Sequence, residues 1–248
     1  MDGLYLEDLK VKLGDRLLID GLNLHVPNGS VHVIMGPNGT GKSSLSKALS
    51  GHKDYVIAGG KAELNGVSLI GKSPDEISKM GMFLAFQTPV EIAGVSIANF
   101  IRACLQARLP ERQELNVPAF YKELREKMAQ LKMDSSFSAR SLNEGFSGGE
   151  KKRCDVLQML MLKPCFAILD EIDSGLDVDA LRIVSEGINS YKNKDVGILM
   201  ITHYHRLLEH IKPDVVHILS GGKIVKSGSA DLALELEKYG YDFVEAEK

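Results

Sequence analysis

Gly36-Pro37-Asn38-Gly39-Thr40-Gly41-Lys42-Ser43 fits G-x-x-x-x-G-K-[ST] and constrains this chain more than any other stretch. The pattern needs a strand before it and a helix after it. Val31-His32-Val33-Ile34-Met35 is a short apolar run that predicts a buried strand, and Lys42 to Leu49 places Leu45, Ala48 and Leu49 at helical spacing. The glycines let successive backbone N–H groups turn toward phosphate oxygens where a Cβ would clash. The helix start adds open donors and a favourable dipole. Lys42 is suited to the β- and γ-phosphates of a nucleoside triphosphate, and Ser43 to Mg²⁺. Ser44, next on the same helix start, joins Gly36 to Ser43 in the expected phosphate-binding set.

With 248 residues the chain fits one large α/β domain with room for an inserted subdomain. Its net charge of -3 provides no basic footprint, so nucleic acid is not an expected partner. Met1-Asp2-Gly3-Leu4 lacks a basic segment leading into an apolar core, so no signal peptide is expected. No apolar run reaches the roughly 18 residues of a membrane span, so direct membrane insertion is not expected either. Cys104, Cys154 and Cys165 are odd in number and lack C-x-x-C spacing. They read as reduced thiols in a cytoplasmic setting, acting as small buried hydrophobes.

Taken in order, Leu4–Leu13, Arg16–Ile19 and the alternating Leu22–Val26 predict three strands, an antiparallel layer within the first 30 residues. Gly51–Tyr55 and Gly59-Gly60 predict loops. Lys61–Leu64 predicts a strand, and Asn65-Gly66 a tight hairpin into Val67-Ser68-Leu69. Ser73-Pro74-Asp75-Glu76 opens a capped helix that ends near Met80-Gly81. Three further apolar runs predict buried strands. Met82–Phe86 delivers Gln87, Cys165–Leu169 ends at Asp170-Glu171, and Val196–Ile201 leads to Thr202-His203. Between the first two, Pro89–Val95 predicts a loop. Helices follow over Ser96–Arg108, Ala119–Leu131 and, capped by Ser147, Gly148–Leu162. A helix over Val178–Ser190, a hairpin over Val215–Leu219 and Lys223–Lys226, a helix over Asp231–Tyr239 and a polar tail from Tyr241 to Lys248 complete the chain. The expected division within a single domain, 1–248, is an α/β core of residues 1–87 and 164–248 with a helical subdomain over 88–163.

An apolar strand ending in two carboxylates suits a Mg²⁺-triphosphate site. Asp170 can hold the cation, and Glu171 can orient a water in line with the γ-phosphate. Phe146-Ser147-Gly148-Gly149-Glu150 opens a helix with a hydroxyl and bare backbone donors, a second place for an anion. Two phosphate-binding helix starts in one chain suggest that one of them faces a nucleotide held by another copy.

The order phosphate loop, Gln after a strand, Ser-Gly-Gly-Glu, strand-Asp-Glu, Ser-Gly-Leu-Asp and strand-end His resembles the ATPase domain of the ATP-binding cassette superfamily. The resemblance implies an α/β phosphate-loop NTPase core with an antiparallel β layer and an inserted helical subdomain, using ATP and Mg²⁺. It implies that Gly36 to Ser43 is the Walker A loop and that Gln87 touches Mg²⁺ or the attacking water. It makes Ser147 to Glu150 the signature motif, Asp170 the Walker B acid and Glu171 the catalytic carboxylate. Ser174 to Asp177 becomes the D-loop and His203 the switch histidine. The implied catalytic set is Glu171, His203, Gln87 and Lys42, and the implied metal set is Ser43, Gln87 and Asp170. In that family two domains associate head to tail on binding ATP, so the second partner of the nucleotide is another copy. Leu13 stands near where many members stack adenine on an aromatic.

Within that superfamily, Phe86–Val95, Phe146–Arg153, Leu169–Asp177 and Thr202–Leu208 resemble the SufC family, ATPases of the SUF iron–sulfur cluster assembly system. Phe146 and Glu150, in place of the Leu and Gln common in transporters, fit that branch better; Cys154 stands where a polar residue is usual. This resemblance implies SufB and SufD scaffold partners and a cytoplasmic or plastid-stromal location. Residues 88–95 follow Gln87 directly, which makes Glu91 an expected docking residue. The competing reading is the nucleotide-binding subunit of a membrane importer. An ATPase acting on DNA or the ribosome is a third, disfavoured because no long coiled coil interrupts the helical region.

Overall fold

The computed structural model describes residues 2–241. The expected polar tail beyond Tyr241 lies outside them. The described residues divide into two compact units: 2–87, 165–172 and 192–241 form the first, 88–164 and 173–191 the second. In chain order the elements are β1 (Leu4–Leu13), β2 (Arg16–Val26), β3 (Val31–Met35), α1 (Lys42–Leu49), β4 (Tyr55–Leu64), β5 (Val67–Ser68), α2 (Pro74–Lys79) and β6 (Met82–Ala85). Then come β7 (Ile92–Ser96), α3 (Ile97–Gln106), α4 (Val117–Gln130), β8 (Ser141–Leu142), α5 (Gly148–Leu162), β9 (Phe166–Asp170) and α6 (Val178–Tyr191). The chain continues with β10 (Gly197–Ile201), α7 (Arg206–His210), β11 (Val215–Ser220), β12 (Lys223–Gly228) and α8 (Asp231–Tyr239).

The first unit contains two sheets. One is antiparallel, in the order β2-β1-β4-β5; the other runs β12-β11-β3-β10-β9-β6, parallel except for β12. Between them lies one apolar cluster. Leu4, Leu6, Leu9, Ile19 and Leu22 come from the antiparallel sheet, Leu45 and Leu49 from α1, and Ile34, Ile168 and Ile201 from the parallel strands. Each such fully buried side chain contributes about 1.5–3 kcal/mol relative to exposure. β3, β9 and β10 are buried at every residue, as central parallel strands require.

Two predicted breaks proved to be strand. Residues 16–26 form one strand through Gly21, at φ 82, with register shifts against β1 taking up the irregularity. β4 likewise runs through Gly59-Gly60. Gly60 has φ 79, and a Cβ there would stand 2.2 Å from the Asp8 carbonyl, so glycine here marks a bulge where two backbones touch. Asn65 and Gly66, at φ 50 and 78, make the predicted tight turn. Ser73 and Glu76 form the predicted capping box, with Pro74 in the first turn.

The second unit is built on α5, ten of whose fifteen residues are buried. The helical part was expected to span 88–163, with the helix near 178–190 in the core. Instead α6 groups with the second unit, because Gly187 lets it approach α5 closely. A Cβ at Gly187 would lie 2.7 Å from Leu131 and 2.8 Å from Val156. The predicted loop over 89–95 is partly strand: β7 pairs antiparallel with β8. Of the three thiols, Cys154 is buried, and Cys104 and Cys165 are half-buried.

Candidate active site

The parallel sheet assembles the site. Neighbouring strands β3, β10, β9 and β6 end side by side, and their carboxyl ends deliver residues 36–43, His203, Asp170-Glu171 and Gln87 respectively. Ligands of α/β sheets bind beyond those strand ends. A cleft of about 480 Å³ opens there. Asn38, Gly39, Gly41, Lys42, Ser43 and Ser44 line its floor; Gln87, Glu171 and His203 also line it, as do Leu13, Arg16, Leu18 and Tyr55.

The loop turns through Gly39 at φ 81 and Gly41 at φ 104, conformations that favour glycine. Gly36 is needed for a different reason: a Cβ there would meet the Leu219 carbonyl at 2.2 Å. Thr40 Oγ1 donates to the Pro37 carbonyl at 3.0 Å, which closes the turn. Lys42 is 5% exposed, and its Nζ donates to the carbonyls of Gly36 and Pro37 at 2.7 and 2.8 Å. Burial pushes its pKa down to about 8, against the pull of Glu171 and Asp170. The ammonium thus rests on its own loop, where a phosphate oxygen would be a stronger acceptor.

Asp170 is buried and accepts from two hydroxyls of α1. Ser46 Oγ donates to Oδ2 at 2.7 Å, and Ser43 Oγ stands 3.5 Å from Oδ1. An anionic and a neutral oxygen side by side are hard donors of the kind Mg²⁺ takes while keeping several waters. Glu171 has φ 48, unusual for a non-glycine residue, with its N–H donating to the Ile201 carbonyl at 2.8 Å. Its carboxylate is engaged on both oxygens. Gln87 Nε2 donates to Oε2 at 2.7 Å, and His203 Nε2 lies 3.0 Å from Oε1. The three residues at three strand ends therefore meet around one carboxylate. Such a group can orient a water, with the His203 imidazole beside it.

The second unit carries Ser147, Gly148, Gly149 and Glu150 as the start of α5. Glu150 N–H donates to Ser147 Oγ at 3.3 Å, and Ser147 N–H to Glu150 Oε2 at 2.7 Å. The Ser147 N–H holds the Glu150 carboxyl below its ordinary range. Glu91, the expected docking residue, is half exposed and pairs with Lys151 Nζ at 2.6 Å. Other histidines have structural partners. His32 and His217 share a buried hydrogen bond of 2.9 Å, and His205 bridges Glu209 and Glu237.

The sequence profile of the family described as "ABC transporter" matches residues 19–174, more than half of the chain. The chain belongs to the ATP-binding cassette family. "Vegetative protein 296" of Bacillus subtilis (strain 168) is 48% identical over 244 residues, spanning 98% of this chain and 94% of that one. A "Probable ATP-dependent transporter" of Synechocystis sp. (strain ATCC 27184 / PCC 6803 / Kazusa) is 50% identical, over 98% and 95% of the two chains. A solved cassette, a dimer in a post-hydrolysis state with ADP and phosphate, superposes with TM-score 0.78 over 92% of this chain and 98% of that one. At 16% identity it speaks for the fold alone. The cassette is an ATP hydrolase with a mixed α/β phosphate-loop fold. Among the described residues no helix is long and apolar enough to cross a membrane.

Sequence reasoning missed Ser46, Arg16, Leu18 and Tyr55. Ser46 reads as one more small residue in a helix. Tyr55 sits in what looked like a loop, and only the β1–β4 register, which sets it opposite Leu13, brings it to the cleft. An aromatic side chain thus lines the cleft beside Leu13.

Proposed function

We propose that this cassette binds Mg²⁺-ATP in the cleft above the parallel sheet and hydrolyses it in a head-to-tail pair of copies. Lys42 and the loop amides from Gly36 to Ser44 hold the phosphates. Ser43 and Asp170, with Gln87 nearby, hold Mg²⁺, which supplies charge neutralisation on the triphosphate when bound. Glu171 orients the water and His203 contacts the γ-phosphate, while Ser147 to Glu150 serve the nucleotide of the other copy. The carrying observation is the state of the catalytic carboxylate. Gln87 and His203 occupy both Glu171 oxygens, and Lys42 is folded onto its own loop. Hydrolysis therefore needs a rearrangement that the triphosphate and a second copy provide.

The work done is a conformational change in a SufB–SufD-type scaffold during iron–sulfur cluster assembly, in the cytoplasm or the plastid stroma. The stretches Phe86–Val95 and Phe146–Arg153 support this over transport. The second reading, the nucleotide-binding subunit of a membrane importer, draws on the Synechocystis relative, whose name describes a transporter. Affinity purification separates them: SufB- and SufD-type proteins are expected, and integral membrane proteins alone would overturn the first reading. Glu171→Gln should abolish turnover and accumulate an ATP-bound dimer. A variant that stays monomeric with Mg²⁺-ATP would overturn the head-to-tail pairing.

A further inference from the structure

Within the second unit, residues 90–96 and 141–151 are fastened to one another at four points. β7 and β8 pair antiparallel, with Ile92 opposite Leu142 and Ser96 opposite Ser141. Gly94 N–H donates to Ser141 Oγ at 3.1 Å. Asn143 Nδ2 donates to the Val90 carbonyl at 2.9 Å. Lys151 Nζ meets Glu91 Oε1 at 2.6 Å. Three fastenings precede Ser147 and the fourth follows it. One short segment thus grips both flanks of the signature helix start.

Asn143 is the most constrained of these residues. It is 2% exposed, its φ is 60, and its Oδ1 is buried with no hydrogen-bond partner among the described residues. Donation to a carbonyl identifies which end of the amide is nitrogen. A buried amide with an unmet acceptor is unfavourable. Left-handed backbone is accommodated by Asn but suits Gly better. If the position needed only its backbone, glycine would avoid both penalties. What glycine lacks is the amide, and the amide's contact is Val90. On the outer side, Val90 is 58% exposed and the Glu91 side chain 50%.

We propose that Asn143 is a positioning residue. Together with the Glu91–Lys151 pair it makes residues 90–96 and 141–151 one piece, so the loop after Gln87 sets where Ser147 to Glu150 are presented to the nucleotide of a second copy. This inference rests on the head-to-tail reading proposed above. A protein that grips Val90 and Glu91 then acts on the neighbouring copy's ATP, through the signature helix.

The test uses the full chain carrying Glu171→Gln, with Mg²⁺-ATP-dependent association followed by sedimentation. Each variant's own-cleft affinity is read separately with a fluorescent ATP analogue at concentrations below association. Adding Asn143→Gly should weaken association by about tenfold, the scale of one lost buried hydrogen bond, with analogue affinity unchanged. A merely structural defect moves both together, and that result overturns the proposal. So does equal association with and without Asn143→Gly. Should the glycine variant not fold, charge exchange decides: Glu91→Lys or Lys151→Glu alone weakens association, and the two together restore it. A double variant no better than the singles counts against the proposal. Absence of association in the Glu171→Gln parent instead removes the head-to-tail reading itself.

Discussion

Asp155 should make the stability of the second unit depend on pH in a way that Asp155→Asn abolishes. It lies in α5 and is 6% exposed. Its Oδ1 accepts from Gln158 Nε2 at a long 3.5 Å, and its Oδ2 has no hydrogen-bond partner among the described residues. Burial raises its pKa from 3.8 to about 7, with the nearby Lys152 charge pulling the other way. Between those values the folded chain keeps a proton that the unfolded chain has released. Stability therefore falls as pH rises through this window, and the loss is complete above about pH 7. Each pH unit carries about 1.4 kcal/mol, so the whole window amounts to about 4 kcal/mol and the span from pH 5 to pH 8 to about 3 kcal/mol. Asparagine has nearly the same shape and does not titrate. The variant should gain that 3 kcal/mol, approximately, over the parent on going from pH 5 to pH 8. Every other titrating group cancels in the difference. Because the chain has two units, native-state hydrogen exchange of the slowest α5 amides is the assay, read for both proteins at both pH values. A difference between variant and parent that is the same at pH 5 and pH 8 would show that the carboxyl is not held protonated by the fold.

Three further outcomes are expected. Gly187→Ala gains about 1 kcal/mol of helix propensity but drives a methyl within 2.7–2.8 Å of Leu131 and Val156, and overpacking of that kind costs about 1–3 kcal/mol. The urea midpoint should fall, and an unchanged or raised midpoint would refute the close α5–α6 packing. With the Lys42 pKa at about 8, binding of Mg²⁺-ATP should restore its full charge. Uptake of about 0.8 proton at pH 8.5 but about 0.1 at pH 7 follows, measured calorimetrically in buffers of different ionisation enthalpy. Lys42→Arg should remove the pH-dependent part, and equal uptake at both pH values would contradict the buried resting position. Tyr55→Ala should raise KM for ATP by about tenfold with kcat unchanged, since base contacts bind ground and transition states alike. A fall in kcat at constant KM would place Tyr55 elsewhere in the reaction.

Local features of this chain were legible without a structure wherever the deciding interactions are local. The strand–loop–helix around Gly36 to Ser43, the capping box at Ser73, the helix cap at Ser147 and the turn at Asn65-Gly66 each depend on groups within about four residues of one another. Where a distant backbone decided, the reading from sequence went astray. Gly59-Gly60 resembles a loop until β1 lies alongside and uses the missing side chains to form a bulge. Residues 92–96 look like a connection until Ser141-Leu142 arrives to pair with them. The helix after Asp177 has no sequence mark that assigns it to one unit or the other; Gly187 against Leu131 and Val156 is a contact between segments far apart in the chain.

The same division holds in the candidate site. Sequence alone pointed to a phosphate cradle with Lys42 and Ser43, through its motif, and to Asp170 and Glu171, through the apolar run before them, while Gln87 and His203 entered through the family resemblance. Only the tertiary structure decided what those groups do to one another. Ser46 joins Ser43 on Asp170, Tyr55 reaches the cleft from β4, and Gln87 and His203 close on Glu171 from either side. Those meetings depend on strand order and register in two sheets. Both are set by burying one shared apolar cluster, and hydrophobic burial rewards area without naming which residues must meet.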